Sequence, residues 1–174
     1  MDRCIPYPNL DTNTFNMSVH PKQLMTNPLH ALSLGLGSGL APKAPGTFGT
    51  FAALIIYYFL LMDLSLPVYG AVVAVSVVVG IYLCGYTAKA MGLHDAPAIV
   101  WDEFAGLWIA LICVPQGLHW LVLGFILFRF FDILKPWPIS WLDRHVHGGL
   151  GIMIDDVVAG VFAWLSLHFI IFLL

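Results

Sequence analysis

Charge is what this sequence has least of. Only 10% of its 174 residues are charged, seven basic and ten acidic, and Glu103 is the sole glutamate. Ordinary soluble domains carry roughly 25%, so 60% hydrophobic residues and a mean hydropathy of +0.88 argue against a water-soluble globule. A net charge of −3 with no basic stripe sets nucleic-acid binding aside. Cysteine is also scarce: Cys4, Cys84 and Cys113 lie far apart, the last two in apolar runs, and read as inert thiols rather than a disulfide framework. The first 26 residues carry Pro6, Pro8 and Pro21 and no apolar core of a signal peptide. They read as a polar tail, 1–26, before a single membrane-embedded domain, 27–174, whose insertion rests on the later apolar segments.

Several catalytic signatures are missing. Position 40 is Leu where G-x-G-x-x-G needs Gly, and no Gly-Lys-Ser/Thr follows, so neither nucleotide-binding fingerprint is met. There is no H-E-x-x-H, and His145-x-His147 and His94-Asp95 without cysteine partners are weak support for zinc. No Cys-x5-Arg and no D-x-D supplies a covalent phosphoenzyme nucleophile. A metal-activated water fits what is present.

What is present in abundance is uncharged length. The apolar runs, broken at Pro115-Gln116-Gly117, predict five helices near 47–62, 67–88, 101–114, 118–134 and 156–174, the third short for a full crossing. Asn27-Pro28 opens a shorter segment, 29–36, read as an interfacial or re-entrant helix leading into the Gly35–Thr47 loop. The expected fold is therefore an all-α, polytopic membrane protein of about five membrane helices plus a short N-terminal one. With the N-terminus inside, Arg3, Lys22, Lys43, Lys89, Arg129, Lys135 and Arg144 all fall on the cytoplasmic side. Asp95, Asp102, Glu103, Asp132, Asp143, Asp155 and Asp156 share that face, and Asp63 alone faces out. A passive span has no need of such one-sided polar chemistry.

Each polar cluster has a plain and a functional reading. Asp102-Glu103 and Asp155-Asp156 begin the third and fifth predicted helices, where carboxylates complement the helix dipole and Asp102 serves as a cap. Two acidic pairs on one membrane face also suit an oxygen-ligand Mg²⁺ site. Arg129, Asp132 and Lys135, spaced i, i+3, i+6, form one polar edge: an ion pair with snorkelling, or a metal ligand or water-orienting base flanked by phosphate-holding cations. The Gly35–Thr47 glycines read either as close helix packing or as a backbone cradle for phosphate, with Gly39 and Thr47 contributing. Trp137 and Trp141 suit an interfacial belt.

Four strings in order, GLGSGLAPKAPGTFG from Gly35, VWDEFAG from Val100, FRFFDILKPWPI from Phe128 and DRHVHGGLGIMIDD from Asp143, resemble the phosphatidylglycerophosphatase A family from Asn27 to the C-terminus. The resemblance implies a Mg²⁺-dependent, multi-pass bacterial inner-membrane phosphatase facing the cytoplasm, which removes the terminal phosphate of phosphatidylglycerophosphate. On that expectation Asp102, Glu103, Asp155 and Asp156 hold Mg²⁺, and Asp132 and Glu103 are catalytic, Asp132 orienting water or ligating. Arg129, Lys135 and Arg144 hold phosphate, and the Gly39 and Thr47 loop closes over the headgroup. The rivals are a small transporter, which needs ionisable groups through the membrane depth, and a lipid-headgroup transferase.

Overall fold

A computed structural model describes residues 21–93 and 96–174, and the described residues are helical throughout, with no strand. Two short helices, α1 (Pro21–Leu24) and α2 (Pro28–Ser33), precede a 3₁₀ stretch at Gly35–Leu40. Then come α3 (Pro45–Ile56), which widens into a π turn at Tyr57–Leu61, α4 (Leu66–Met91), α5 (Trp101–Ala110), α6 (Leu118–Leu134), α7 (Ile139–His145) and α8 (Gly148–Leu173). Of the polar tail 1–26 the described residues include α1; residues 1–20, with Cys4, lie outside them, as do His94 and Asp95.

Sequence boundaries explain the helices that fell where expected. Gly117, in a backbone conformation with φ +145, starts α6, and Lys135 in the left-handed region before Pro136 stops it. α4 begins with Pro67 in its first turn and ends on Gly92, again left-handed. Asn27 caps α2, its side chain accepting the Leu29 N–H at 2.9 Å.

Two expected helix bounds need correction. α5 ends at Ala110 rather than 114, because the chain turns through 111–113 with Cys113 at φ +56. The last helix starts at Gly148, eight residues before 156, so Asp155 and Asp156 sit inside α8 and cap nothing. Gly148, Gly149 and Gly151 lie in its first turn: a Cβ on Gly149 would lie 1.9 Å from the Ile81 carbonyl oxygen, and one on Gly151 would lie 2.3 Å from that of Val146. Among the described residues two helices, α4 and α8, of 26 residues each, are long and apolar enough to cross a membrane by length and composition.

α5 is the centre of the bundle. Its apolar run buries every residue from Glu103 to Ala110, as an all-round apolar helix must. Trp108 Nε1 donates to the Ala53 carbonyl of α3 at 3.0 Å, Trp101 Nε1 donates to that of Ser76 in α4 at 3.1 Å, and Tyr69 Oη donates to the Trp108 carbonyl at 2.6 Å. On its other side α5 meets α8 backbone to backbone, a Cβ on Gly160 falling 2.3 Å from the Gly106 carbonyl oxygen. Gly160→Val is therefore expected to drive α5 from α8 and destabilise the protein by about 1–3 kcal/mol or more, read as a lowered thermal midpoint in detergent; an unchanged midpoint would contradict this packing.

The outer surface is apolar where the interior is charged. Val78, Phe59 and Phe169 are more than 60% exposed, whereas Glu103, Asp155 and Asp156 are buried. Such an inverted distribution suits lipid as the surrounding solvent and supports membrane association.

Candidate active site

The acids meet at one end of the bundle, where α5 and α8 start and α6 finishes. Asp102 and Glu103 lie in the first turn of α5, Asp156 in α8, and their carboxylate oxygens come within 4.8 Å of one another. Asp156 reaches the group because it lies one turn before Gly160, on the face that α8 presses against α5. Asp155 is turned about 100° away around the helix.

One cation faces the cluster. Arg129 of α6 pairs with Asp132 one turn on, sits 3.9 Å from Glu103 Oε1, and donates from Nη1 to Thr50 Oγ1 of α3 at 3.4 Å. Thr50 in turn donates to the Gly46 carbonyl at 2.8 Å. α3 comes close to the acids at Gly46, where a Cβ would stand 2.3 Å from Glu103 Oε1 and 3.3 Å from Arg129 Nη1. Two buried polar atoms in this group, Glu103 Oε2 and Arg129 Nε, have no hydrogen-bond partner. Three carboxylates against one guanidinium leave an excess of buried negative charge, which an apolar interior tolerates only with further positive charge.

Lys135 forms a second centre. Its ammonium donates to Asp155 Oδ2 at 2.6 Å and to Asp143 Oδ1 of α7 at 2.7 Å, tying α7 to α8 across the turn at 136–138. Burial alone would lower the Lys135 pKa, but the hydrogen bonds to Asp143 and Asp155 outweigh it and hold the proton above the ordinary lysine range.

The sequence-derived candidates are thus divided. Asp102, Glu103, Asp156, Arg129 and Asp132 are gathered; Asp155 is next door, on Lys135. Arg144 is exposed on α7 with no ion pair among the described residues. Thr47 is half-buried in the first turn of α3, and Gly39 is packed so that a Cβ would lie 2.0 Å from the Ala98 carbonyl oxygen. His145 Nδ1 donates to the Trp141 carbonyl at 2.8 Å, and its ring stacks on that of Trp141. Thr50 and Asp143 were not singled out by sequence; Thr50, one turn after Gly46 in an apolar helix, carried only that spacing as a signal.

Chemically, the cluster offers hard oxygen donors, a partnerless buried carboxylate oxygen and no sulfur or imidazole. That donor set fits a hard divalent cation.

Comparison with known proteins agrees in region and kind. The profile of the family described as Phosphatidylglycerophosphatase A matches residues 31–171. Phosphatidylglycerophosphatase A of Escherichia coli K12 is 52% identical over 147 residues, covering 84% of this chain and 85% of that protein. The protein of the same name from Haemophilus influenzae is 46% identical over 140 residues, covering 80% and 86%. No solved structure matches.

Proposed function

The chain belongs to the phosphatidylglycerophosphatase A family, and from that premise we propose that it hydrolyses the phosphomonoester of phosphatidylglycerophosphate to phosphatidylglycerol and phosphate, with the Asp102, Glu103, Asp156 cluster as its reaction centre. The observation that carries the assignment is the convergence of three carboxylates and Arg129 from helices distant in sequence. Asp102, Glu103 and Asp156 would hold Mg²⁺, which when bound supplies positive charge to the phosphoryl oxygens and acidifies a water.

The chain's own residues account for the rest. Arg129, fixed between Glu103, Asp132 and Thr50, directs its guanidinium at the space beside the acids and neutralises a phosphoryl oxygen there. Asp132 holds Arg129 in place and accepts a proton from the attacking water. Lys135 keeps Asp155 neutralised and attaches α7 to the site; its third N–H, left over from Asp143 and Asp155, serves the departing phosphate. Water attacks phosphorus and gives a proton to Asp132, the bond from phosphorus to the glycerol oxygen breaks, and that oxygen takes up a proton from solvent as Asp132 returns its own, so one water is consumed for each alcohol and phosphate formed.

Five passes with the acids cytoplasmic is the topology we favour. Trp164 Nε1 donates to the Ile112 carbonyl at 3.0 Å, and Tyr57 Oη lies 3.5 Å from that of Leu111, so the far ends of α3, α5 and α8 are together, opposite the acids. A helix of ten residues, about 15 Å, suffices for α5 because its neighbours enclose it. The buried carboxylates at one end, and not along a path through the bundle, count against a transporter.

Detergent-purified protein given phosphatidylglycerophosphate should release phosphate and phosphatidylglycerol with Mg²⁺ and stop in EDTA. Release undiminished by EDTA removes the metal assignment; no release with Mg²⁺ and dispersed lipid removes the reaction.

A further inference from the structure

A cavity of about 550 Å³ lies outside the acid cluster, in the angle between α4 and the first turn of α8. It exists because these helices touch through glycine: Gly149 packs on the Ile81 carbonyl and on Gly85, so no side chain fills the angle beside the contact. Ile81, Ala88 and Leu93 make its apolar lining. Tyr82 and Tyr86 form one wall, their rings stacked 5.8 Å apart, and the stack continues into His30 at 4.7 Å, which fixes the wall's direction. Lys89 lines the same cavity, is exposed, and has no acidic partner among the described residues.

An apolar recess with phenolic groups along one wall and one ammonium that has no acidic partner among the described residues is complementary to an amphiphile with one negative charge. Its size is that of a ligand site and not of an interhelical gap. It also opens on the apolar perimeter, where Tyr82 and Val78 face outward, at the end of the molecule that carries the acids. Tyrosine and lysine together are the side chains that hold a lipid at headgroup height. The acid cluster is not part of it: none of Asp102, Glu103, Asp156 and Arg129 lines this cavity.

We infer that the groove between α4 and the start of α8 holds one anionic phospholipid, its phosphate on Lys89 and an acyl chain along Ile81, Tyr82 and Tyr86, at a site separate from the acid cluster. The inference rests on membrane association and not on the phosphatase reading.

The test is native mass spectrometry of protein ejected from nanodiscs of equal phosphatidylglycerol and phosphatidylcholine. The wild type should retain one phosphatidylglycerol in preference to phosphatidylcholine. Lys89→Gln should lower the fraction carrying it about fivefold, the value of one lysine at an anionic surface, Lys89→Arg should restore it, and Arg129→Gln should leave it in place. Glycerophosphoglycerol, the headgroup without acyl chains, should not displace it. Equal retention of phosphatidylcholine, unchanged retention in Lys89→Gln, or loss in Arg129→Gln would overturn the site; displacement by the soluble headgroup would make it an anion site without a lipid.

Discussion

Asp156→Asn is expected to reduce phosphate release by about 10²–10³-fold, the usual effect of removing one preorganised charged group from a reaction centre, and to raise the Mg²⁺ concentration needed for half-maximal rate. Asp156 is buried and shares the cluster with Asp102 and Glu103, so its loss leaves two carboxylates where three converge. Asp155→Asn should do much less. Asp155 is engaged with Lys135, which keeps Asp143 as a partner when Asp155 is neutral. The stability readout runs the other way. In EDTA the three clustered carboxylates repel one another, so replacing one by a neutral amide should raise the thermal midpoint of the metal-free protein even as turnover falls. A variant with wild-type turnover and wild-type Mg²⁺ dependence would exclude Asp156 as a ligand; equal losses at 155 and 156 would mean that the adjacent acids act together and the division between two centres is wrong.

That division could not have been read from the sequence. Asp155 and Asp156 are chemically alike and adjacent, and a helical period places them about 100° apart without saying which direction is inward. The choice is made by Gly160, one turn after Asp156, which lets α8 lie on the Gly106 carbonyl and carries the Asp156 face toward α5. Punctuated helices were legible: α6 ran from Gly117 to Lys135 as its flanking residues dictate, and α4 differed by a residue or a turn at its ends. α8 was not, because Gly148, Gly149 and Gly151 look like a linker until the Ile81 and Val146 carbonyls are brought against them. The same ambiguity ran through the Gly35–Thr47 loop, where glycines suited to a phosphate cradle and glycines required by packing are indistinguishable in sequence. At Gly39 the packing requirement is explicit, since a Cβ would lie 2.0 Å from the Ala98 carbonyl oxygen. Arg129 and Asp132 were visible as an i, i+3 pair on an apolar helix, but their connection through Thr50 to α3 links residues 79 apart in sequence and leaves no local pattern.

Gly46→Ala should lower kcat by about 10²-fold, the loss that a displacement near 1 Å brings in a positioned site, with no loss of stability. Alanine normally improves a helix by roughly 0.5–1 kcal/mol over glycine, and Gly46 lies in the first turn of α3, so propensity alone predicts a slightly more stable protein. Space predicts the opposite for function. The new Cβ would stand 2.3 Å from Glu103 Oε1 and within 3.4 Å of both terminal nitrogens of Arg129. One side must move, and the α3 backbone is the firmer: it enters from Ala44 at φ +48, Pro45 fixes its first turn, and Thr50 ties back to the Gly46 carbonyl at 2.8 Å. The Glu103 carboxylate is the end of a side chain with one partnerless oxygen, so it swings, and the geometry it shares with Asp102, Asp156 and Arg129 goes with it. Gly70→Ala is the matched control, since a Cβ there meets nothing within 4 Å; it should leave turnover unchanged. Turnover and thermal midpoint measured on both variants decide the matter. A fall in both for Gly46→Ala means that α3 yielded and the fold was damaged, whereas wild-type turnover means that Glu103 can move without consequence and is not held in place for the reaction.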